Sequence, residues 1–265
     1  MPITNFLSNK ALDHLSGGTS LTANSTLHFA LFTSAPSLAG GGTEVSGGSY
    51  ARVAITNNSS LWASAVDGVK KNASLVSFDA ATASWGTVTH VGIYDATTSG
   101  NLLWFGALQS SAAVASGDTV QFAIDAISIT LAGEISHYAA SELLDFVFGA
   151  ASWSKPSNIY FGAMTSAPLA SGGGTEVSGG SYARANVVNN VTNFPAASTG
   201  SKSNGVKFSF AKATASWGTI TAIAAYDAPF GGNLLYFSPL DSTRTVDANN
   251  TLQIPIGDLD LAITA

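Results

Sequence analysis

Carboxylates that recur 132 residues apart are the first residues in this sequence whose type and spacing could do chemistry. The recurring pairs are Asp13 and Asp145, Glu44 and Glu176, and Asp95 and Asp227. Two facing carboxylates can hydrolyse a glycosidic bond, one as acid and the other as base or nucleophile. Asp95, however, follows a tyrosine and precedes a turn, where an aspartate usually accepts hydrogen bonds from its own backbone. We therefore interpret Asp95 and Asp227 as turn residues, and Asp13 and Asp145 as solvated residues on helices.

The histidines do not build a site that both halves of the chain could share. The four histidines are His14, His28, His90 and His137. Each is replaced by another residue type 132 positions away, and the chain has no cysteine. The sequence also lacks the motifs of zinc proteases, serine hydrolases, P-loops and calcium loops. It therefore predicts no catalytic residue, no metal ligand and no cofactor, and we expect that the protein is not an enzyme.

A glycine-rich phrase is the most strongly repeated part of the chain. GGGTEVSGGSYAR occupies residues 40–52 and returns unchanged at residues 172–184. A phosphate-binding loop would need a following helix and usually a lysine, whereas a predicted strand follows this phrase. The phrase carries one Glu and one Arg, which fit either a local salt bridge or a contact with a neighbouring subunit. The candidate subunit-contact residues are Glu44, Tyr50, Arg52, Glu176, Tyr182 and Arg184.

The offset of 132 holds along the whole chain and predicts two tandem domains, residues 1–132 and 133–265. TSAP at residue 33, TASWGT at residue 82, YDA at residue 94 and NLL at residue 101 all return 132 positions later. Residues 1–32, in contrast, match their counterparts at only seven positions. The glycine phrase is thus retained while the sequence around it diverges.

Each repeat is predicted to begin with a short helix and to continue as β-strands. Ile3, Phe6, Leu7, Ala11 and Leu15 share one helical face. Such a helix could pack on its own β-domain or dock on a neighbouring subunit. Strands are predicted over residues 27–32, 50–56, 88–94, 102–108, 119–131 and 205–213, with a bulge or bend at residues 125–126. The predicted fold class is all-β, with two tandem β-sandwich domains that each carry a short N-terminal helix.

The composition limits the classes of partner. Charged residues make up 10% of the chain and the net charge is −6. Because no Lys/Arg cluster is present, we expect no nucleic-acid partner. No signal peptide and no apolar run of about 18 residues is present, so we expect no membrane partner. A surface rich in Ser, Thr and Gly is typical of a protein that packs against copies of itself, and we predict a homo-oligomer.

The order of motifs resembles a known family. The motifs are LFTSAP, GGGTEVSGGSYAR, TASWGTVTHVGIYDA, SGNLLWFGAL and SGDTVQFAIDAISITL. Together they resemble the small phage structural proteins of the tail-fibre adaptor type, which are usually single copies of about one repeat. The resemblance implies a non-enzymatic virion component, made in the host cytoplasm, that self-associates and docks other virion proteins. It does not identify functional side chains.

Three functional hypotheses follow. The first is a phage tail adaptor on which fibres or other tail components dock through self-assembly. The second is a capsid decoration or cement protein. The third is a carbohydrate- or receptor-binding tandem module, for which the repeated Trp85 and Trp217 could stack on sugars. Because SWGT lies between predicted strands, we expect these tryptophans at the edge of the core instead.

Overall fold

A computed structural model describes residues 3–264, and within them two helices and nineteen strands. The helices are α1 (Asn5–Leu15) and α2 (His137–Val147). The first ten strands are β1 (Thr26–Ser34), β2 (Thr43–Glu44), β3 (Val53–Thr56), β4 (Val69–Lys71), β5 (Val76–Ser77), β6 (Gly86–Tyr94), β7 (Leu102–Val114), β8 (Gln121–Phe122), β9 (Ser128–Thr130) and β10 (Ala132–Gly133). The remaining strands are β11 (Asn158–Ser166), β12 (Thr175–Glu176), β13 (Ala185–Val188), β14 (Ser201–Ser203), β15 (Phe208–Ser209), β16 (Gly218–Tyr226), β17 (Leu234–Val246), β18 (Gln253–Ile254) and β19 (Asp260–Thr264). No helix in residues 3–264 is both long and apolar enough to cross a bilayer.

A five-stranded antiparallel sheet forms the main layer of each repeat. In the first repeat the strand order is β2-β1-β6-β7, and β3 pairs with the other end of β1. The central strand β1 is a nearly continuous apolar run, and six of its nine residues are buried. Such a run suits a strand that is covered on both faces. The second repeat repeats this order with β12-β11-β16-β17 and β13.

Short two-stranded ribbons close the second layer of the sandwich. In the first repeat β4 pairs with β9, and β5 pairs with β8. Aromatic rings fill the space between the layers: Phe78 stacks on Tyr50 at 6.2 Å and meets Phe122 edge-on at 6.4 Å. The fold is all-β with two repeats, each opened by a short helix, as the sequence predicts.

Three predicted strands are shorter than expected. The strand predicted over residues 50–56 is regular only at β3. The strand predicted over residues 205–213 is regular only at β15, although Phe208 and Phe210 both point into the core. The strand predicted over residues 119–131 is divided into β8 and β9, which belong to different ribbons. Asp125, with φ 65°, lies in the turn between them. The change of phase at residues 125–126 is therefore a bend at which the chain moves from one ribbon to another.

The two helices are exchanged between the repeats. Helix α1 starts beside its own β7, where Ile3 forms a bridge with Trp104, and then packs against β14 of the second repeat. Helix α2 starts beside β17 and packs against β4 of the first repeat. Each helix therefore docks on the other repeat of the same chain, and not only on its own domain or on another subunit. Each helix spans both repeats of one chain.

Buried ion pairs fasten each helix to the opposite repeat. Asp13 of α1 pairs with Lys202 of β14 at 2.7 Å, and Asp145 of α2 pairs with Lys70 of β4 at 2.5 Å. Both lysine side chains are at most 3% exposed. The prediction that Asp13 and Asp145 are solvated is wrong, because each carboxylate neutralises a lysine that would otherwise be buried without a partner.

Asparagines of each repeat also cap the helix of the other. The last carbonyls of a helix have no partner within the helix. Asn189 Nδ2 donates to the Leu15 carbonyl of α1 at 3.0 Å, and Asn57 Nδ2 donates to the Val147 carbonyl of α2 at 2.8 Å. The ion pair and the asparagine bond thus both hold the last turn of each helix.

One hydrophobic core runs through both repeats. The largest cluster of buried apolar side chains contains Leu12 and Phe29 from the first repeat together with Leu143 and Phe161 from the second. Strand β10, which leaves the first repeat, pairs with β19 of the second. The boundary between residues 132 and 133 stays a prediction, and the shared core indicates that neither repeat is complete without the other.

Removal of one interlocking lysine is expected to destabilise the whole chain. Lys202→Ala leaves Asp13 partly buried without its cation, which should cost about 3–5 kcal/mol of unfolding free energy. The matched control is Lys207→Ala, at an exposed lysine of the same repeat, which should change stability by less than about 0.5 kcal/mol. Urea titration followed by tryptophan fluorescence measures both values. Equal stability of the two variants would contradict the interlock.

Candidate docking site

A bidentate ion pair forms the centre of the repeated glycine phrase. Arg52 donates from Nη2 to Glu44 Oε2 at 2.7 Å and from Nε to Glu44 Oε1 at 2.9 Å. Glu44 lies on β2, and Arg52 immediately precedes β3, so both edge strands beside β1 are joined. The Tyr50 hydroxyl donates to Glu44 Oε1 at 3.1 Å and accepts from the Leu31 N–H at 2.8 Å. The arginine side chain is only 8% exposed.

The same arginine holds the turn that follows β6. Arg52 Nη1 donates to the carbonyls of Ala96 and Ser99 at 2.9 and 2.8 Å. Its guanidinium also stacks 3.4 Å from the centre of the Tyr94 ring. A planar group with five donors can bind a carboxylate, two carbonyls and a ring face at once, which a lysine cannot do. Arg52 is therefore a clamp between the glycine phrase and the turn at residues 95–101.

The aspartate that begins this turn closes it by hydrogen bonds to the residue that ends it. Asp95 accepts hydrogen bonds from the Asn101 N–H at 2.6 Å and from Asn101 Nδ2 at 2.7 Å. Gly100 adopts φ +73°, and a Cβ there would lie 2.4 Å from Asp95 Oδ1. The interpretation of Asp95 as a turn residue is confirmed, and the equivalent bonds of Asp227 to Asn233 measure 2.7 and 2.8 Å.

The second repeat builds the same clamp. Arg184 binds Glu176 at 2.8 and 2.9 Å and the carbonyls of Ala228 and Gly231 at 2.8 Å each. Burial alone would raise the pKa of Glu176, but hydrogen bonds from Arg184 and Tyr182 outweigh it and hold this pKa below its usual value. Burial raises the pKa of the Tyr182 hydroxyl, as it does that of Tyr50. The cluster is therefore a fixed ion pair with neutral phenols near neutral pH.

The other half of the glycine phrase rests on the repeated tryptophan. Trp85 Nε1 donates to the Gly48 carbonyl at 3.0 Å, and Trp85 is 5% exposed. Gly48 has φ +53°, and a Cβ there would lie 3.0 Å from the indole ring and 2.8 Å from the Ala83 carbonyl oxygen. The two repeated motifs are thus each other's packing partners, and the prediction that Trp85 and Trp217 lie at the core edge is confirmed.

The polar groups of the phrase are thus satisfied inside each repeat. The local salt bridge foreseen as one interpretation is present in both copies. A subunit-contact role for Glu44, Tyr50, Arg52, Glu176, Tyr182 and Arg184 stays a prediction. What the clamp leaves accessible is the tip of the turn, at residues 96–100 and 228–232.

A groove lies beside each clamped turn, at the start of the helix. The grooves have volumes of about 370 Å³ in the first repeat and about 310 Å³ in the second. Equivalent residues line both, including Gly40 and Gly172, Tyr94 and Tyr226, and Asn101 and Asn233. An aromatic ring stands at the rim of each, Phe6 or Tyr138. The walls of each groove come from three segments that are distant in the sequence, so neither groove is visible in the sequence alone.

The histidines are separated in the structure. His14 is buried between the repeats, stacked 4.9 Å from Phe146 of α2, and its Nδ1 accepts from the Leu21 N–H at 3.1 Å. His28 lies on β1, His90 on β6, and His137 at the start of α2, 3.3 Å from the Asp67 carboxylate. Within residues 3–264 no group of three or more acidic or histidine side chains is placed to hold a metal ion.

A model of a known protein family matches both repeats of the chain. The family model described as podophage GP4 fiber I protein gp80 matches residues 2–130 and again residues 134–262. The chain belongs to this family, in tandem duplicate. No curated protein matches the chain. The family is one of phage fibre proteins, so the chain is a structural protein of a phage virion.

Replacement of the clamping arginine is expected to loosen the turn that it holds. Arg184→Lys keeps the charge but cannot bind Glu176 and two carbonyls together, and it should cost about 1–3 kcal/mol of stability. Amide hydrogens of residues 228–233 should exchange faster, as measured by mass spectrometry. Arg244→Lys is the control, because its side chain is 44% exposed and its ion pair spans 3.4 Å. Unchanged exchange in Arg184→Lys would show that the turn does not depend on the clamp.

The buried histidine is expected to make stability depend on pH. Burial, and secondarily the charge of Lys155, lowers the pKa of His14. The folded state therefore binds the proton less well than the unfolded state, so His14 lowers stability as the pH falls below about 6.5. His14→Phe, which installs the residue found at the equivalent position 146, should lose less stability between pH 7 and pH 5. Identical losses in both proteins, measured by urea unfolding, would exclude this role.

Proposed function

We propose that the chain is a tail adaptor: a rigid, non-enzymatic joint, made in the host cytoplasm, on which fibre subunits or other tail components dock. The observation that carries this proposal is the duplicated clamp. Two identical ion-pair clusters hold two equivalent turns, and exchanged helices fix the repeats in one body. A joint of this kind transmits load without internal movement. Loops positioned by a rigid scaffold are also where binding residues usually lie.

The clamp residues serve this function by holding the docking surface in place. Arg52 and Arg184 are nearly buried, whereas the turn tips that they bind are exposed. A preorganised loop loses little conformational entropy when a partner binds it, so more of the contact energy appears as affinity. A neighbouring subunit would then contact the tips directly and the Glu, Tyr and Arg side chains only at their edges.

A receptor-binding module is the second candidate, and the paired grooves favour it. Each groove combines a half-exposed aromatic ring with an asparagine and glycine backbone, which are groups that suit polar ligands with an apolar face. Two equal sites on one rigid chain would bind a repetitive receptor with avidity.

The position of the chain in the virion distinguishes the candidate functions. The chain should appear at the tail of purified virions when an epitope tag on the exposed residues 247–249 is labelled with gold. Phage that lack the gene should assemble filled capsids whose tails lack fibres. Label on the capsid faces would instead support a decoration protein. Label at fibre tips, with fibres still attached in the mutant, would support receptor binding.

A further inference from the structure

Two features break the pseudo-symmetry of the chain, and they lie in different repeats. The first is Phe230, at the tip of the clamped turn of the second repeat, which is 83% exposed. The equivalent residue in the first repeat is Thr98. A single exposed apolar residue is ordinary on a protein surface. Phe230 differs because Arg184 and Asp227 fix the backbone on both sides of it.

The second feature is an open cleft in the first repeat. The cleft lies between β7 and the chain around β8, and its volume is about 840 Å³. Its floor is apolar and includes Val91, Trp104, Leu108, Val120 and Phe122. This volume lies within the usual range of ligand sites and exceeds what one phenyl group fills.

The second repeat carries a clasp at the corresponding place. Arg244 of β17 reaches across to the Gln253 carbonyl at 3.3 Å and the Asp258 carboxylate at 3.4 Å. Both members of this clasp are alanine in the first repeat, Ala112 and Ala126. The first-repeat cleft is therefore open because it lacks the side chains that bridge its counterpart.

We propose that the two features join copies of the chain head to tail, with Phe230 of one copy inserted into the first-repeat cleft of the next. This contact deepens the proposed structural function by naming one self-association surface. A knob on one repeat and a hole on the other form a heterologous contact, which produces rings or filaments according to the angle between neighbours. A chain with two identical repeats would lack this polarity.

The lack of charge on both surfaces favours a second copy as the occupant. Residues 228–232 carry no charge, and β7 carries none along its thirteen residues, so insertion desolvates no ion along that wall. The cleft rim bears Lys71, Asp118 and Asp125. In residues 3–264 Lys71 belongs to no ion pair.

Complementary variants test the contact. Phe230→Thr removes the knob, and Ala112→Arg places the arginine of the second repeat's clasp across the hole. The wild-type chain should form oligomers in sedimentation velocity at micromolar concentration, and each variant alone should associate at least about tenfold more weakly. An equimolar mixture of the two variants should form a 1:1 dimer and nothing larger, because Phe230→Thr retains a hole and Ala112→Arg retains a knob.

Two controls separate this contact from general effects. Ile256→Thr removes another exposed apolar side chain, 65% exposed, and Thr243→Arg adds a cation to β17 of the second repeat. Both should assemble like the wild type. A monomeric wild type, normal assembly of either test variant, or no dimer in the mixture would overturn the proposal. The tail location of the tagged chain tests the proposed function separately, since a virion protein can be placed there by other contacts.

Discussion

The exchange of helices between the repeats is the constraint on which the rest of the structure depends. Asp13 and Asp145 must reach Lys202 and Lys70 across the chain, because a buried ammonium without a partner is strongly unfavourable. The last strands of the two repeats also pair, β10 with β19, so the connection between the repeats extends beyond the helices. The common core and the position of His14 between the repeats follow from that arrangement, whereas each clamped turn is held within its own repeat.

The duplicated chain behaves as a two-fold dimer whose subunits are joined covalently. The lysine ion pairs and the asparagine bonds at the two helix ends each have a counterpart 132 residues away. Because the two copies are fused in one chain, their sequences can differ, whereas the subunits of a homodimer are identical. The Arg–Glu clamp is identical in both, while Phe230 and the Arg244 clasp occur in the second repeat alone. The two copies are thus identical at the clamp and differ at the exposed Phe230 and at the Arg244 clasp.

Much of the fold could be predicted from the sequence. The repeat offset, the opening helices, the turn role of Asp95 and the buried position of Trp85 follow from periodicity and local turn chemistry. The pairing of Glu44 with Arg52 could be foreseen as one of two interpretations because the residues lie eight positions apart. The helix exchange could not be predicted, because Asp13 and Lys202 are 189 positions apart and their spacing gives no sign that they pair. The recurrence of lysine at positions 70 and 202 is a signal of the two ion pairs, but a charged residue on a strand usually indicates a solvated face.

Differential scanning calorimetry of the full chain tests the central claim most directly. If exchanged helices make the two repeats one folding unit, the chain unfolds in a single transition, and the calorimetric and van't Hoff enthalpies agree, with a ratio of about one. Two transitions, or a calorimetric enthalpy about twice the van't Hoff value, would show two independent domains. That result would contradict an interlocked body as the basis of this protein's structure.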